Sequence, residues 1–226
     1  MSVVVLVRHG RTTANASGVL AGWSPDVHLD EVGVEQARRV GERLAPLRLS
    51  AVVASPLERT RETAASIADA QRRRIVVETD ERIGECHYGD WTGKKLTDLA
   101  REPLWKTVQG RPSAVTFPEG ESMLHMQHRA VAAVHAWNER VGARGLYVIV
   151  SHGDVIKSIL SDALGMHLDS FQRIVVDPGS VSVVRYTRDG SSVLRMNDMA
   201  TDLGDLARAR RRRSSAADVG GGSGQR

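Results

Sequence analysis

Two uninterrupted apolar runs stand out in the pattern of hydrophobic and polar positions along the chain. Val3–Val7 and Leu146–Val150 each contain five consecutive apolar residues, most of them β-branched. A run with no polar residue on either face is typical of a strand that a parallel sheet buries on both sides. Each run is followed within two residues by a His-Gly pair, which begins at His9 in the first case and at His152 in the second. Because the carboxyl ends of such strands commonly form sites, these histidines are the leading functional candidates.

Weaker patterns predict an alternation of strands and helices along the rest of the chain. Asp30 is suited to cap a helix that runs to about Leu44, and helical spacing of apolar residues predicts a second helix over 122–141. Ser55 and Glu58 have the spacing of a capping box at the start of another helix. The other predicted segments are a loop over 11–27, a helix that ends near 164, and strands at 51–54, 75–78, 181–186 and 192–196. This alternation predicts an α/β fold, a three-layer sandwich with a mostly parallel central sheet flanked by helices.

Length and composition fit one domain with an insertion. A chain of 226 residues is long enough to bury a sizeable core. We expect the main domain to cover 1–203 and an insertion, at about 85–126, to fold over the sheet, because prolines interrupt the pattern there. The segment 204–226 is basic and has almost no apolar content, so it is predicted to be a disordered tail.

Charge and cysteine content narrow the classes of partner and compartment. The formal net charge is +4, and the last 20 residues hold six arginines and one acidic residue, so the rest of the chain carries about −1. We therefore expect no nucleic-acid partner except through the basic tail. The single cysteine, Cys86, fits a reducing compartment. With no signal peptide and no apolar stretch long enough to span a bilayer, we expect a cytoplasmic protein that does not bind membranes.

Two arginines extend the pair of histidines into a candidate phosphate site. If the two apolar strands are parallel neighbours, His9 and His152 emerge at the same edge of the sheet. Arg8 adjoins His9, and Arg59 lies in the first turn of the helix after the second predicted strand. Arginine matches phosphate oxygens with paired donors, and a helix N-terminus also favours anions. Four groups that would repel each other when charged require an anion, and phosphate is the natural candidate.

Four segments that carry these residues resemble the motifs of a known family. Residues 8–15, Arg-His-Gly-Arg-Thr-Thr-Ala-Asn, resemble the R-H-G-x-T-x-x-N signature of the histidine phosphatase superfamily, the phosphoglycerate-mutase-like proteins. Residues 55–60 are similar to the family's S-P-L-x-R-[TA] segment, and 85–93 are similar to its E-x-x-x-G-x-x-x-G region. Residues 151–153 match its second histidine motif. The motifs occur in the family's order between Val3 and Met196, which makes the resemblance specific.

The resemblance implies an activity and a role for each of six residues. His9 would be the nucleophile and form a phosphohistidine. Glu85 would be the general acid for the leaving alcohol and then the base that activates water. The groups implied to bind the phosphoryl oxygens are Arg8, Arg59, His152 and Asn15. Of these, His152 is also implied to be catalytic, and Asn15 is implied to lie at the pocket rim. The family chemistry implies no metal and no cofactor, a small phosphorylated molecule as substrate, and a homodimer as a common assembly.

The same resemblance favours hydrolysis over phosphoryl transfer between substrates. Mutases of the superfamily carry a longer insertion with paired arginines that bind the substrate carboxylate. The corresponding segment of this chain, 94–118, is short and contains no Arg-Arg pair. Ala21 stands where mutases place a hydroxyl residue, and 120–122, Gly-Glu-Ser, resembles the phosphatase branch. We therefore expect an acid-phosphatase-like phosphomonoesterase. The alternatives are a phosphoglycerate mutase or other phosphomutase, and a phospho-ligand binding or regulatory module with vestigial catalysis.

Overall fold

A twisted sheet with the order β3-β2-β4-β1-β5-β6 forms the centre of the protein, as the computed structural model shows for residues 1–200. The predicted tail, 204–226, lies outside the described residues. The strands of this part of the chain are β1 (Ser2–Arg8), β2 (Ala51–Ala54), β3 (Val77–Thr79), β4 (Leu146–Ser151), β5 (Val181–Thr187) and β6 (Gly190–Asp198).

Helices cover both faces of the sheet. The α-helices are α1 (Thr13–Ser17), α2 (Glu31–Leu44), α3 (Glu58–Asp69), α4 (Leu96–Leu99), α5 (Pro103–Gly110), α6 (Met123–Val141) and α7 (Gly153–Ala163). Short 3₁₀ helices lie at Glu81–Ile83, Gly89–Trp91, Pro112–Ala114 and Leu168–Arg173. Within residues 1–200, no helix is both long enough and apolar enough to cross a membrane.

The two apolar strands are parallel neighbours at the centre of the sheet. β1 pairs with β4 from Val3, which lies opposite Leu146, to Arg8, which lies opposite Ser151. The pairs β2–β4 and β2–β3 are also parallel, whereas β5 and β6 are added as an antiparallel hairpin beyond β1. The predicted α/β fold with a mostly parallel sheet is therefore confirmed, and the ends of β1 and β4 meet at one edge.

Burial of both faces explains why the runs Val3–Val7 and Leu146–Val150 within these strands are apolar throughout. Val4 and Leu6 belong to the core on one side of the sheet, with α6, α7 and the segment 83–117. Val5 and Val7 belong to the core on the other side, beneath α2 and α3. Burying a side chain of this size stabilises a fold by about 1.5–3 kcal/mol, and alternate residues contribute to opposite layers. The three-layer architecture follows directly from this alternation.

Three local predictions were wrong in detail. The helix α3 begins at Glu58 with Leu57 as its N-cap and has no side-chain cap, because the Ser55 hydroxyl is hydrogen-bonded to His152 instead. The predicted loop over 11–27 contains α1, whose start is closed by a capping box between Thr12 and Asn15. The strand predicted at 75–78 lies at 77–79, where it pairs with β2 at the edge of the sheet.

The turn after His9 depends on a close backbone approach at Gly10. A Cβ atom at Gly10 would lie 2.4 Å from the carbonyl oxygen of Gly33. We expect Gly10→Ala to lower the free energy of unfolding by about 2–3 kcal/mol, as overpacking does in a tight interior. Urea denaturation measures the effect, and Gly110→Ala, where a Cβ has no neighbour within 4 Å, is the control. Equal stability of both variants would contradict the prediction.

Candidate active site

The two histidines lie side by side where β1 and β4 end. Their ring centroids are 5.2 Å apart with an angle of 60° between the planes. The His9 amide donates to the carbonyl of Ser151 across the strand ends, at 3.0 Å, so the backbone fixes their separation. Both side chains are buried, with exposed fractions of 3% for His9 and 0% for His152. The structure therefore brings the two histidines into one site.

His9 is held as a neutral imidazole with a defined tautomer. Its Nδ1 lies 2.7 Å from the carbonyl oxygen of Gly10, which can only accept a hydrogen bond, so Nδ1 carries the proton. The lone pair is then on Nε2. Burial, together with the charges of Arg59 and Arg8, lowers the pKa of His9 well below its ordinary value of 6.5. The site thus presents an unprotonated ring nitrogen suited to nucleophilic attack.

Arg8 and Arg59 are buried cations whose guanidinium groups are only partly satisfied. Nη1 of Arg8 donates to the carbonyl of Val176, and Nη2 of Arg59 donates to the carbonyl of Gly22, both at 2.7 Å. Four nitrogen atoms of the site are buried without a hydrogen-bond partner in the described part of the chain: Nε and Nη2 of Arg8, Nη1 of Arg59 and Nδ1 of His152. Burying unpaired donors and charges costs free energy, so this cluster is arranged for an anion with several acceptor oxygens.

Ser55 orients His152, a role that the local sequence pattern did not reveal. Its Oγ lies 2.8 Å from Nε2 of His152 and accepts a long hydrogen bond, 3.4 Å, from the amide of Leu57. When the hydroxyl donates to Nε2, the proton of the ring is on Nδ1, where a phosphoryl oxygen can accept it. Burial and the charge of Arg59 lower the pKa of His152 well below 6.5, so the ring is neutral. Ser55 was interpreted as a helix cap because its spacing to Glu58 fits that pattern.

Glu85 lies in the same pocket with its carboxyl group almost wholly buried. Its Oε1 accepts from the amide of Cys86 at 2.9 Å, and its Oε2 lies 3.9 Å from Nδ1 of His152. Burial and the charge of Asp154 raise the pKa of Glu85 to about 7, although Arg59 opposes the shift. A carboxyl group with this pKa can both give and take a proton at neutral pH.

Four side chains from other parts of the fold fix the backbone and the charge around Glu85. Nε1 of Trp23 and Nη2 of Arg129 donate to the Glu85 carbonyl, at 2.6 Å and 2.9 Å. The Tyr88 hydroxyl donates to Oδ2 of Asp154 at 2.9 Å, and both side chains are fully buried. The sequence analysis missed all four residues. The one available signal was the position of Asp154, two residues after His152.

Hydrogen bonds to Thr12 fix the orientation of the Asn15 side chain, which leaves its amide NH₂ group as a donor at the pocket wall. Its Oδ1 accepts from the amide and the hydroxyl of Thr12, at 3.1 Å and 3.0 Å. The pocket has about 370 Å³ of empty space and is lined by His9, Asn15, Arg59 and Glu85, with the loop 18–22 and Leu96. All six predicted site residues therefore lie in or directly behind one pocket.

The predicted insertion contributes one wall of this pocket. The amide of Leu96 donates to the carbonyl of Gly18 at 2.8 Å, and the amide of Leu20 donates to the carbonyl of Lys94 at 2.9 Å. The segment 93–96 is thereby joined to the loop 18–20. Within residues 1–200, no group of three or more His, Cys, Asp or Glu side chains is arranged to hold a metal ion.

Fold and site together define an enzyme of phosphoryl chemistry, and comparison with known proteins gives the family. The profile of the histidine phosphatase superfamily, branch 1, matches residues 4–199, and the chain belongs to this family. The probable phosphoglycerate mutase GpmB of Erwinia tasmaniensis is 37% identical over 187 residues, which are 81% of this chain and 85% of that protein.

Solved structures match over nearly their whole length. YhfR of Bacillus stearothermophilus superposes with a TM-score of 0.81 at 28% identity, covering 88% of this chain and 98% of that chain. The alpha-ribazole phosphatase of Shigella flexneri superposes with a TM-score of 0.78 at 25% identity, covering 89% and 98%. Relatives therefore include proteins named as mutases and as phosphatases.

Proposed function

We propose that the protein hydrolyses phosphomonoesters through a phosphohistidine at His9, without a metal ion. The observation that carries the proposal is a set of buried donors of Arg8, Arg59 and His152 that have no hydrogen-bond partner within residues 1–200 and lie beside a neutral histidine nucleophile. A phosphoryl group has three peripheral oxygens that can accept from these donors. Fixed cations in a buried site stabilise the charge that these oxygens carry in the transition state.

In the first step, Nε2 of His9 attacks phosphorus and the bond to the leaving oxygen breaks. Protonated Glu85 donates its proton to that oxygen, so an alcohol leaves and the carboxylate remains. The positive charge of the phosphorylated ring is stabilised by the hydrogen bond from Nδ1–H to the Gly10 carbonyl. Glu85 then accepts a proton from water, whose oxygen attacks phosphorus, and His9 leaves with its lone pair restored. Inorganic phosphate is the second product.

Asp154 is proposed to keep Glu85 protonated until the alcohol leaves. Its negative charge raises the pKa of Glu85, so removing that charge in Asp154→Asn should lower this pKa. Because the first step needs the protonated acid, the alkaline limb of kcat/KM against pH should move to lower pH. Tyr88→Phe, which removes the hydrogen bond but keeps the Asp154 carboxylate, is the control and should move the limb less. An unchanged limb in Asp154→Asn would contradict the role.

A phosphoglycerate mutase is the second candidate, and the 37% identity to a probable mutase is the observation that favours it. Hydrolysis and isomerisation are separated by incubating the protein with 3-phosphoglycerate, with and without a bisphosphate primer. We expect no primer-dependent isomerisation, and any turnover of 3-phosphoglycerate should release inorganic phosphate. Primer-dependent formation of the 2-phospho isomer would establish the mutase instead, and tight phosphate binding without turnover would establish a binding module.

The substrate is proposed to be a small phosphorylated metabolite in the cytoplasm. The narrow pocket supports a small molecule, and the single cysteine, Cys86, supports a reducing compartment. A screen of phosphorylated metabolites, with the His9→Ala protein in parallel to subtract background, identifies the substrate class.

A further inference from the structure

A groove with four arginines lies at the end of the sheet opposite the His9 pocket. It is formed by the loop 45–50, between α2 and β2, and the loop 71–75, between α3 and β3. Both loops precede the amino ends of parallel strands, whereas the pocket lies at the carboxyl ends. The arginines are Arg48, Arg72, Arg73 and Arg74, and all four are exposed. We call this feature the arginine groove.

The four arginines of the arginine groove lie together without a counter-charge among residues 1–200. No carboxylate belongs to its lining, and none of its four arginines forms an ion pair within residues 1–200. By contrast, Arg38 pairs with Glu35 and Arg140 pairs with Glu78. Four like charges in one concave surface repel each other, and a bound polyanion would relieve that repulsion. The expectation that only the basic tail could contact nucleic acid rested on the net charge of about −1 for the rest of the chain, and that net charge conceals this local concentration of arginine.

The size of the arginine groove favours a polymer over a single phosphate. Its empty space is about 1100 Å³, compared with about 370 Å³ for the His9 pocket. Its charged residues are all arginine, whose planar guanidinium group matches the oxygens of a phosphodiester with paired donors. A concave surface also suits a strand that runs through it better than the flat surface of a bilayer.

We propose that the arginine groove binds the phosphodiester backbone of nucleic acid without sequence specificity. This site is separate from the phosphatase pocket, and the proposal does not depend on which reaction that pocket performs. Contacts to the backbone alone release counterions and depend strongly on salt, with each contact adding about 0.7–0.9 to the slope of log K against log salt.

The test is fluorescence anisotropy of the full-length protein with labelled single-stranded and duplex oligonucleotides of unrelated sequences, over a range of salt concentrations. We expect replacement of all four groove arginines by glutamine to weaken binding at least about tenfold and to lower the salt slope by about 3. The control replaces four exposed arginines outside the groove, Arg61, Arg101, Arg173 and Arg188, and changes the net charge equally. It should retain most of the affinity.

Several outcomes would overturn the proposal. These are no binding by the unchanged protein, equal losses in the two quadruple variants, or binding only to phosphatidylserine vesicles in a sedimentation assay, which would indicate a membrane partner. Turnover of p-nitrophenyl phosphate should be the same in both variants, because the arginine groove is not part of the pocket. This readout confirms that the variants are folded.

Discussion

His9→Ala is expected to lower phosphatase turnover by on the order of 10⁴-fold or more, which corresponds to about 5 kcal/mol of activation free energy. Alanine has no lone pair to attack phosphorus, while the binding donors of Arg8, Arg59 and His152 stay in place. The variant should therefore still bind inorganic phosphate. Initial rates with p-nitrophenyl phosphate measure the loss, and isothermal titration with phosphate measures the retained binding.

The matched control for this variant is His128→Ala. His128 is exposed on α6, away from the pocket, so its removal should leave the rate unchanged. Circular dichroism confirms that both variants are folded. Turnover by His9→Ala at a rate close to that of the unchanged protein would mean that another group is the nucleophile.

Glu85→Gln is expected to lower kcat by about 10²–10³-fold for an alkyl phosphate and to abolish the alkaline limb of kcat/KM against pH. The carboxyl group has a pKa raised to about 7 by burial and by Asp154. Below this pKa it holds the proton that the leaving alcohol needs, and as the pH rises through it the proton is lost. Thus kcat/KM of the unchanged protein should fall above pH 7. Glutamine does not titrate, so the variant should show no such fall.

Leaving-group dependence of kcat/KM makes this test specific to acid catalysis, because kcat/KM reports the first step, whereas hydrolysis of the phosphohistidine is common to all substrates. p-Nitrophenolate leaves without a proton, so Glu85→Gln should lower kcat/KM less with p-nitrophenyl phosphate than with an alkyl phosphate. The control is Glu81→Gln, because Glu81 is exposed in the neighbouring 3₁₀ helix and should be dispensable. The same alkaline limb in Glu85→Gln as in the unchanged protein would show that a different group supplies the proton.

The position of the site could be predicted because it depends on backbone topology. Apolar runs of five residues indicate burial on both faces, which predicts that β1 and β4 lie in the interior of the sheet. That they are parallel neighbours was a condition of the prediction, and the structure shows that the condition holds. Once they are adjacent, the residues after each run must meet, and His9 and His152 do so. Arg59 could also be placed, since a helix that follows β2 must begin at the same edge.

The partners of the site residues could not be predicted because they depend on tertiary packing. Ser55 and His152 are 97 positions apart, and Tyr88 and Asp154 are 66 apart. The pattern around Ser55 fits a helix cap equally well whether or not a histidine is nearby, so local reasoning selected the wrong partner. Likewise, sequence shows that Arg72, Arg73 and Arg74 are consecutive but not that they form no ion pair within residues 1–200.

The most direct test of the central claim is to trap the phosphorylated enzyme. The protein is mixed rapidly with substrate, quenched in alkali, digested and analysed by mass spectrometry. We predict one phosphoryl group, labile in acid and located on the peptide that contains His9. It should form at least as fast as kcat and be absent from the His9→Ala protein. Turnover without a phosphorylated protein, or a phosphoryl group on any other residue, would contradict the mechanism.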